Sequence, residues 1–124
     1  MVDVDLPVLS FDQRQALRDW LLTNHATSPG IFVRIFKKHS GVASVNFEDV
    51  LDEGLCFGWS ESLRLSGDDA SYLQKFTPRR TPGTVSERNR RHVERLIREG
   101  RMTSAGLEAL KGRIGPTRRS RITP

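Results

Sequence analysis

The segment from Asp52 to Arg80 constrains the fold more than any other part of the chain. It joins a helical pattern to strand-like alternation, and it contains the single cysteine and the second of the two tryptophans. Gly54 interrupts the helical spacing, where a glycine costs about 1 kcal/mol relative to alanine. We therefore expect either close approach of another backbone or a local bend at Gly54. Gly58 is free to adopt a positive φ and to end the helix.

The strands are predicted from short runs with strand-like composition. Residues 31–36, IFVRIF, follow a Pro-Gly break and are rich in β-branched and aromatic residues, which is typical of a strand buried on both faces. Residues 62–65 and 71–76 alternate about a Ser-Gly-Asp-Asp turn and predict a hairpin.

Four helices are predicted from apolar residues at helical spacing, each preceded by a capping residue. Ser10 with Gln13 fits a capping box for the first helix, whose inward stripe includes Trp20. Leu107 and Leu110 are predicted to face inward on the fourth helix. The predicted caps are Ser10, Asn46, Ser86 and Thr103.

These elements predict an α+β fold, in which a small, mostly antiparallel sheet is packed by about four helices and helices dominate. At 124 residues the chain fits one domain. We assign it to residues 10–114, after a flexible lead-in at residues 1–9. Residues 115–124 have little apolar pattern and predict a disordered basic tail.

Composition excludes several classes of protein. The sequence contains no apolar run near the roughly 20 residues that a membrane span needs. The acidic N-terminus MVDVDLPVLS is unlike a secretory signal. One cysteine and three scattered histidines give no metal-ligand spacing. We expect a cytoplasmic protein without a metal or cofactor.

The net charge of +5 is unevenly distributed. Residues 1–77 contain 7 Lys/Arg and 11 Asp/Glu, a net charge of −4, whereas residues 78–124 contain 13 and 4, a net charge of +9. Such asymmetry indicates an anionic partner for the second part, or a basic arm on an acidic body. A merely solvated basic face remains open.

Three places in the central segment could carry chemistry. Cys56 is the candidate nucleophile, but it has no histidine near it in the sequence, and a core role is favoured. Trp59 and Glu61 follow Gly58 and could project into a cleft, with Trp59 partly exposed; alternatively, Trp59 fills the core and Glu61 pairs with an arginine. Arg79 follows Pro78, where a guanidinium could bind a carboxylate or phosphate or pair with an internal acid.

Four stretches carry a resemblance that covers about residues 11–112: EGLCFGWSES, LQKFTPRR, SERN and ERLIREGRMTSAGLEAL, in this order. In them the chain resembles the YdeI/OmpD-associated family, small bacterial proteins sometimes described as bacteriocin-protection proteins. The resemblance implies a cytoplasmic domain with no established catalytic activity, and it links some members to survival of antimicrobial peptides.

The resemblance also supplies candidate ligand-binding residues. Two departures bear on them: Ser60-Glu61 replaces a bulky residue followed by Asp, and Val85 replaces a tryptophan. A site that needs this indole would be weakened. The positions that match the family are Cys56, Trp59, Glu61, Phe76, Thr77, Arg79, Ser86, Asn89 and Arg101.

The leading hypothesis is a non-enzymatic stress or peptide-defence domain that binds an anionic small molecule or a protein partner near Trp59, Glu61 and Arg79. One alternative is non-specific nucleic-acid binding through the basic C-terminal part, although that part lacks interleaved aromatic residues for base stacking. The other alternative is an enzyme that uses Cys56 or Glu61.

Overall fold

The computed structural model describes residues 6–79 and 87–110, with side chains of the second range described from residue 89 onward. Within these ranges, four strands form one sheet in the order β1-β2-β4-β3. In chain order the elements are β1 (Val8–Ser10), α1 (Arg14–Asn24), β2 (Ile31–Phe36), a short 3₁₀ helix (Lys38–Ser40), α2 (Phe47–Phe57), β3 (Trp59–Ser66), β4 (Ser71–Pro78), α3 (Glu87–Arg98) and α4 (Ser104–Ala109).

The prediction of a mostly antiparallel, helix-dominated architecture is wrong. The sheet is mixed: β2, β4 and β3 are antiparallel neighbours, but β1 pairs with β2 in parallel. Helices account for 43% of the described residues and strands for 26%, so helices make up less than half of this part of the chain. The cause is the connection through α1, because two adjacent strands joined by a crossover helix run parallel.

β1 lies in the segment from which no regular structure was predicted. Pro7 precedes it at the edge of the sheet, where a missing N–H can be tolerated. The Pro7 carbonyl accepts a hydrogen bond from the Phe32 amide at 2.8 Å. The capping box predicted at Ser10 is also wrong. Ser10 belongs to β1, and Gln13 precedes α1 without a side-chain cap.

The central helix α2 contacts α1, β3, α3 and α4. The Asn46 side chain accepts from the Asp49 amide, and the Asp49 carboxylate accepts from the Asn46 amide, which completes a capping box. All eight residues from Val50 to Phe57 are buried. A helix enclosed on this scale forces its polar side chains to find partners inside the protein.

Both glycine predictions in the central segment are confirmed. A Cβ on Gly54 would meet the Phe76 ring at 2.8 Å and the Trp59 carbonyl at 3.1 Å, so α2 approaches the hairpin closely here. Gly58 ends α2 with φ at 76°. These two residues allow β3 to turn back directly along the helix that precedes it.

The hairpin contains a β-bulge that the sequence did not reveal. Glu61 pairs with Phe76 and Arg64 pairs with Gln74, so two residues of β3 oppose one of β4. The buried Gln74 side chain donates to the Leu63 carbonyl at 3.2 Å, which satisfies a backbone group at the bulge.

The C-terminal part packs on α2 through α3 and α4. On α3, Val93 and Leu96 are fully buried. Thr103 caps α4 as predicted, by accepting from the Gly106 amide. Leu107 does not face inward, since it is 41% exposed, whereas Leu110 is buried.

Several predictions lie outside the described residues: the cap and the ligand-binding role at Ser86, the lead-in at residues 1–5, and the basic tail at residues 115–124.

Candidate functional site

Two adjacent acidic residues lie inside the buried stretch of α2. Asp52 is 5% exposed and Glu53 is fully buried. A carboxylate is rarely buried unless ionic partners and hydrogen bonds replace the water it has lost. The partners of this pair come from three other parts of the chain.

Glu53 is held by three arginines. Its Oε2 accepts from Arg14 Nε at 2.5 Å and from Arg101 Nη2 at 3.0 Å. Its Oε1 accepts from Arg18 Nη1 at 2.8 Å. Arg18 also donates to the Arg101 carbonyl at 2.8 Å and lies over the Phe57 ring at 5.2 Å. One buried carboxylate therefore joins α1 to the segment between α3 and α4.

Asp52 is held mainly from α3. Arg95 Nη2 donates to both of its oxygens, at 2.9 and 2.8 Å. His92 Nδ1 lies 3.2 Å from Oδ1, and Arg14 Nη1 lies 3.6 Å from Oδ2. Arg95 extends the network outward by pairing with Glu99 at 3.2 Å. Asp52 thus fixes α3 against α2, as Glu53 does for α1.

We call Arg14, Arg18, Arg95 and Arg101, together with the two carboxylates, the arginine cluster. Four guanidinium groups surround two carboxylates, and Glu99 at the edge adds one further negative charge. The hydrogen bonds and charge of Asp52 raise the pKa of Arg95 despite partial burial. Burial works to lower the pKa of Arg14, but Glu53 and Asp52 outweigh it and raise this pKa. Further carboxylates lie at the edge of the cluster, since Asp49 contributes to the raised pKa of Arg14 and Glu48 lies 3.9 Å from His92.

Two guanidinium nitrogens in the arginine cluster lack a hydrogen-bond acceptor. Arg14 Nη2 and Arg101 Nε are buried, and neither finds an acceptor in the part of the chain that the structure describes. The two groups are neighbours, because both side chains donate to the same oxygen of Glu53. Their side chains are 27% and 30% exposed, so the pair lies at the edge of the protein surface. Unsatisfied charged donors of this kind call for an explanation.

Of the residues predicted for a site, only Arg101 is seen in the arginine cluster. Cys56, Trp59 and Phe76 are core residues instead. Trp59 is 1% exposed, so the prediction that it lines a cleft is wrong. The cause is the sharp turn at Gly58, which directs β3 back along α2. The centroid of the Trp59 ring then lies 5.8 Å from that of Trp20 and 5.0 Å from that of Phe76.

The remaining candidates are spread over the fold. Glu61 lies opposite Phe76 in the hairpin and is half-buried. Thr77 contacts Gly30, and the Arg79 amide donates to the Gly58 carbonyl at 2.9 Å. Asn89 lies near the start of α3. The cleft proposed from Trp59, Glu61 and Arg79 therefore loses its aromatic wall.

Five residues of the arginine cluster were not among the predicted site residues: Arg14, Arg18, Arg95, Asp52 and Glu53. A signal was present: Asp52 and Glu53 interrupt the apolar stretch from Val50 to Phe57, and adjacent positions on a helix point in different directions. When acidic side chains lie on the buried face of a helix, cations from other parts of the chain must neutralise them. The identity of those cations depends on contacts 35 to 48 residues apart, which no local pattern reveals.

Cys56 is a poor nucleophile in this position. Burial raises the pKa of its thiol, and the nearby Glu53 charge adds to this effect, to about 11. At neutral pH the group is therefore a thiol, whereas the thiolate is the reactive form.

We expect iodoacetamide to alkylate Cys56 slowly in the folded protein and rapidly in denaturant, at the same pH. Because the pKa of Cys56 is higher in the folded than in the unfolded state, the protonated thiol stabilises the folded protein. This stabilisation is fully present below the unfolded pKa and is lost as the pH rises from about 9 toward about 11. Mass spectrometry over a time course measures the rate of alkylation. Equal rates in the folded and denatured protein would contradict the buried placement.

Other kinds of site have no support within residues 6–79 and 87–110. No group of three or more His, Cys, Asp or Glu side chains there is arranged to hold a metal ion. None of the helices in these ranges is long and apolar enough to cross a lipid bilayer.

Comparison with known families gives one match. A family model described as a domain of unknown function (DUF8412) matches residues 9–109. The chain belongs to this family. The matched residues run from β1 to the end of α4 and include the whole arginine cluster of this DUF8412 domain. No curated protein and no solved structure matches the chain.

Proposed function

We propose that this DUF8412 domain is a non-catalytic binding domain whose arginine cluster takes up an anionic group. The observation that carries the proposal is a pair of buried guanidinium N–H donors, on Arg14 and Arg101, that lack acceptors in the described part of the chain. A carboxylate or phosphate from outside would supply the missing acceptors.

The positions of the arginines favour binding over a purely structural role. Arg14 and Arg101 approach each other although both are cations, and the shared oxygen of Glu53 holds them in place. An anion that meets guanidinium groups already fixed in position loses less free energy to ordering side chains. Arginine is also the residue that holds carboxylate and phosphate groups through two parallel hydrogen bonds.

The biological setting is part of the same proposal. The resemblance to the YdeI/OmpD-associated family supports a cytoplasmic bacterial protein linked to stress or antimicrobial-peptide tolerance. The bound group would belong to an anionic small molecule or to an acidic segment of a protein partner. A catalytic role for Cys56 receives no support from its buried thiol.

The alternative function is non-specific nucleic-acid binding, which the charge of +9 in residues 78–124 favours. We expect such binding to be weak, with a logarithmic salt slope near −0.9 for each phosphate contact on duplex DNA. Tight, sequence-selective binding that survives physiological salt would favour this alternative over the anion site.

A thermal-shift experiment tests the proposed function. Inorganic phosphate, sulfate and citrate are each compared with chloride at equal ionic strength. A ligand that binds only the folded state raises the melting temperature with its concentration. We expect at least one of the three anions to do so for the wild-type protein, and to lose most of this increment in Arg101→Gln.

Two further variants make the result specific. Arg98→Gln removes the same charge from an exposed position on α3 outside the cluster and should keep the increment. Arg101→Lys keeps the charge but removes the fork of donors, and should give a smaller increment. Equal increments in all variants, or none above chloride in the wild type, would contradict the proposal.

A further inference from the structure

A second cationic site lies outside the arginine cluster, where the β3–β4 hairpin meets the end of β2. The structure contains a surface cavity there of about 350 Å³. This volume is within the range of small-molecule sites. Its lining includes Lys37, Arg64, Ser66, Asp68 and Tyr72. It therefore combines two cations, one carboxylate, a hydroxyl group and an aromatic ring.

Arg64 is positioned by aromatic contacts rather than by ion pairs. Its guanidinium carbon lies 4.3 Å from the centroid of the Tyr72 ring and 5.6 Å from that of Phe47. Both distances are within the range of favourable cation–π contacts. In the described ranges Arg64 has no hydrogen-bonded or ion-paired acceptor. The rings thus hold the guanidinium while its N–H edges stay available.

The β-bulge explains why Arg64 reaches this position. The extra residue between Glu61 and Arg64 shifts the register of β3, so that Arg64 pairs with the buried Gln74. Bulges commonly redirect a side chain near a functional site. The buried Gln74 side chain stabilises the bulge by donating a hydrogen bond to the Leu63 carbonyl. The redirection of Arg64 is therefore built into the sheet.

The Asp68 carboxylate in the cavity already accepts hydrogen bonds from the hairpin turn. Asp68 accepts from the Ala70 amide at 2.9 Å and from Ser71 Oγ at 3.0 Å, and these bonds lower its pKa. Asp68 therefore serves the turn of the hairpin. The backbone of Lys37, which also lines the cavity, is fixed to the hairpin because its amide donates to the Ala70 carbonyl at 2.7 Å. Two cations against one engaged carboxylate leave the cavity positive.

We infer that this hairpin cavity binds a small molecule through a terminal oxyanion, with Arg64 donating from its edge and Lys37 adding a second positive charge. Phosphate and carboxylate groups share this chemistry, because both accept two parallel hydrogen bonds from a guanidinium. The Ser66 hydroxyl can supply a further donor. The site is separate from the arginine cluster and does not depend on the function proposed for it.

NMR titration of the full chain tests this inference, with the ring resonances of Tyr72, the only tyrosine, as the readout. Inorganic phosphate and citrate are the probes, in separate titrations at constant ionic strength. We expect saturable shifts of the Tyr72 resonances with at least one probe. Comparison of the two affinities distinguishes a phosphate site from a carboxylate site.

The variants separate this site from the cluster. Arg64→Gln should weaken the Tyr72 response by about tenfold, as expected for the loss of a charge-assisted hydrogen bond. Arg98→Gln and Arg101→Gln should leave it unchanged. Unmoved Tyr72 resonances with both probes, or a response that Arg64→Gln preserves, would overturn the inference. Arg64 is exposed, so its replacement leaves the core intact.

Discussion

Replacing Glu53 with glutamine is expected to lower the free energy of unfolding by about 3–5 kcal/mol, the usual cost of removing one partner of a buried ion pair. Arg14, Arg18 and Arg101 all donate to this fully buried carboxylate. Glutamine has nearly the same shape but no charge, and its amide nitrogen would face a guanidinium. The loss is a large fraction of the roughly 5–15 kcal/mol that stabilises a typical domain.

Urea unfolding followed by circular dichroism measures this loss, with Glu99→Gln as the control. Glu99 forms an exposed i,i+4 pair with Arg95, and such pairs contribute about 0.3–0.5 kcal/mol. A loss for Glu53→Gln as small as that of the control would show that the arginine cluster does not hold α1 and the α3–α4 segment against α2.

Replacing Trp59 with alanine is expected to cost about 3–5 kcal/mol, because the indole is completely enclosed. It packs between Trp20 and Phe76, and its Nε1 donates to the His25 carbonyl at 3.3 Å. The variant would leave a cavity and an unpaired carbonyl. Trp20 is only half-buried, so Trp20→Ala should cost less, and the two costs can be compared by the same urea titration.

Fluorescence quenching gives an independent check on the two indoles. We expect acrylamide to quench Trp20 more readily than Trp59, measured in the Trp59→Phe and Trp20→Phe variants. This reverses the order expected from the sequence alone, in which Trp59 lined a cleft. A larger stability loss for Trp20→Ala together with easier quenching of Trp59 would contradict the packing described here.

Local chemistry in the sequence was a good guide to local structure. The cap at Asn46, the close approach at Gly54, the positive φ at Gly58 and the cap at Thr103 are all confirmed. Each depends on the conformational preference of one residue or on a bond to a neighbour a few positions away. These features fix where α2 and α4 begin and where the chain reverses into β3.

Features that depend on distant contacts could not be predicted in this way. The three residues of β1 are too few to show an alternating pattern, and their parallel pairing follows from the placement of α1. Trp59 follows a glycine turn, but only the tertiary fold determines that the turn leads into the core. The family resemblance supplied Arg101 but not Arg14 and Arg18, since the Glu53 carboxylate that joins them lies far away in the chain.

The most direct test of the anion site is the ¹⁵N spectrum of the arginine side chains during titration with inorganic phosphate or citrate at constant ionic strength. The Nε–H group of Arg101 is buried without an acceptor, so it reports directly on a ligand that supplies one. The account predicts a saturable shift of the Arg101 resonance, while that of the exposed Arg98 stays in place. An Arg101 resonance that never moves, or that drifts in step with Arg98 without saturating, would contradict it.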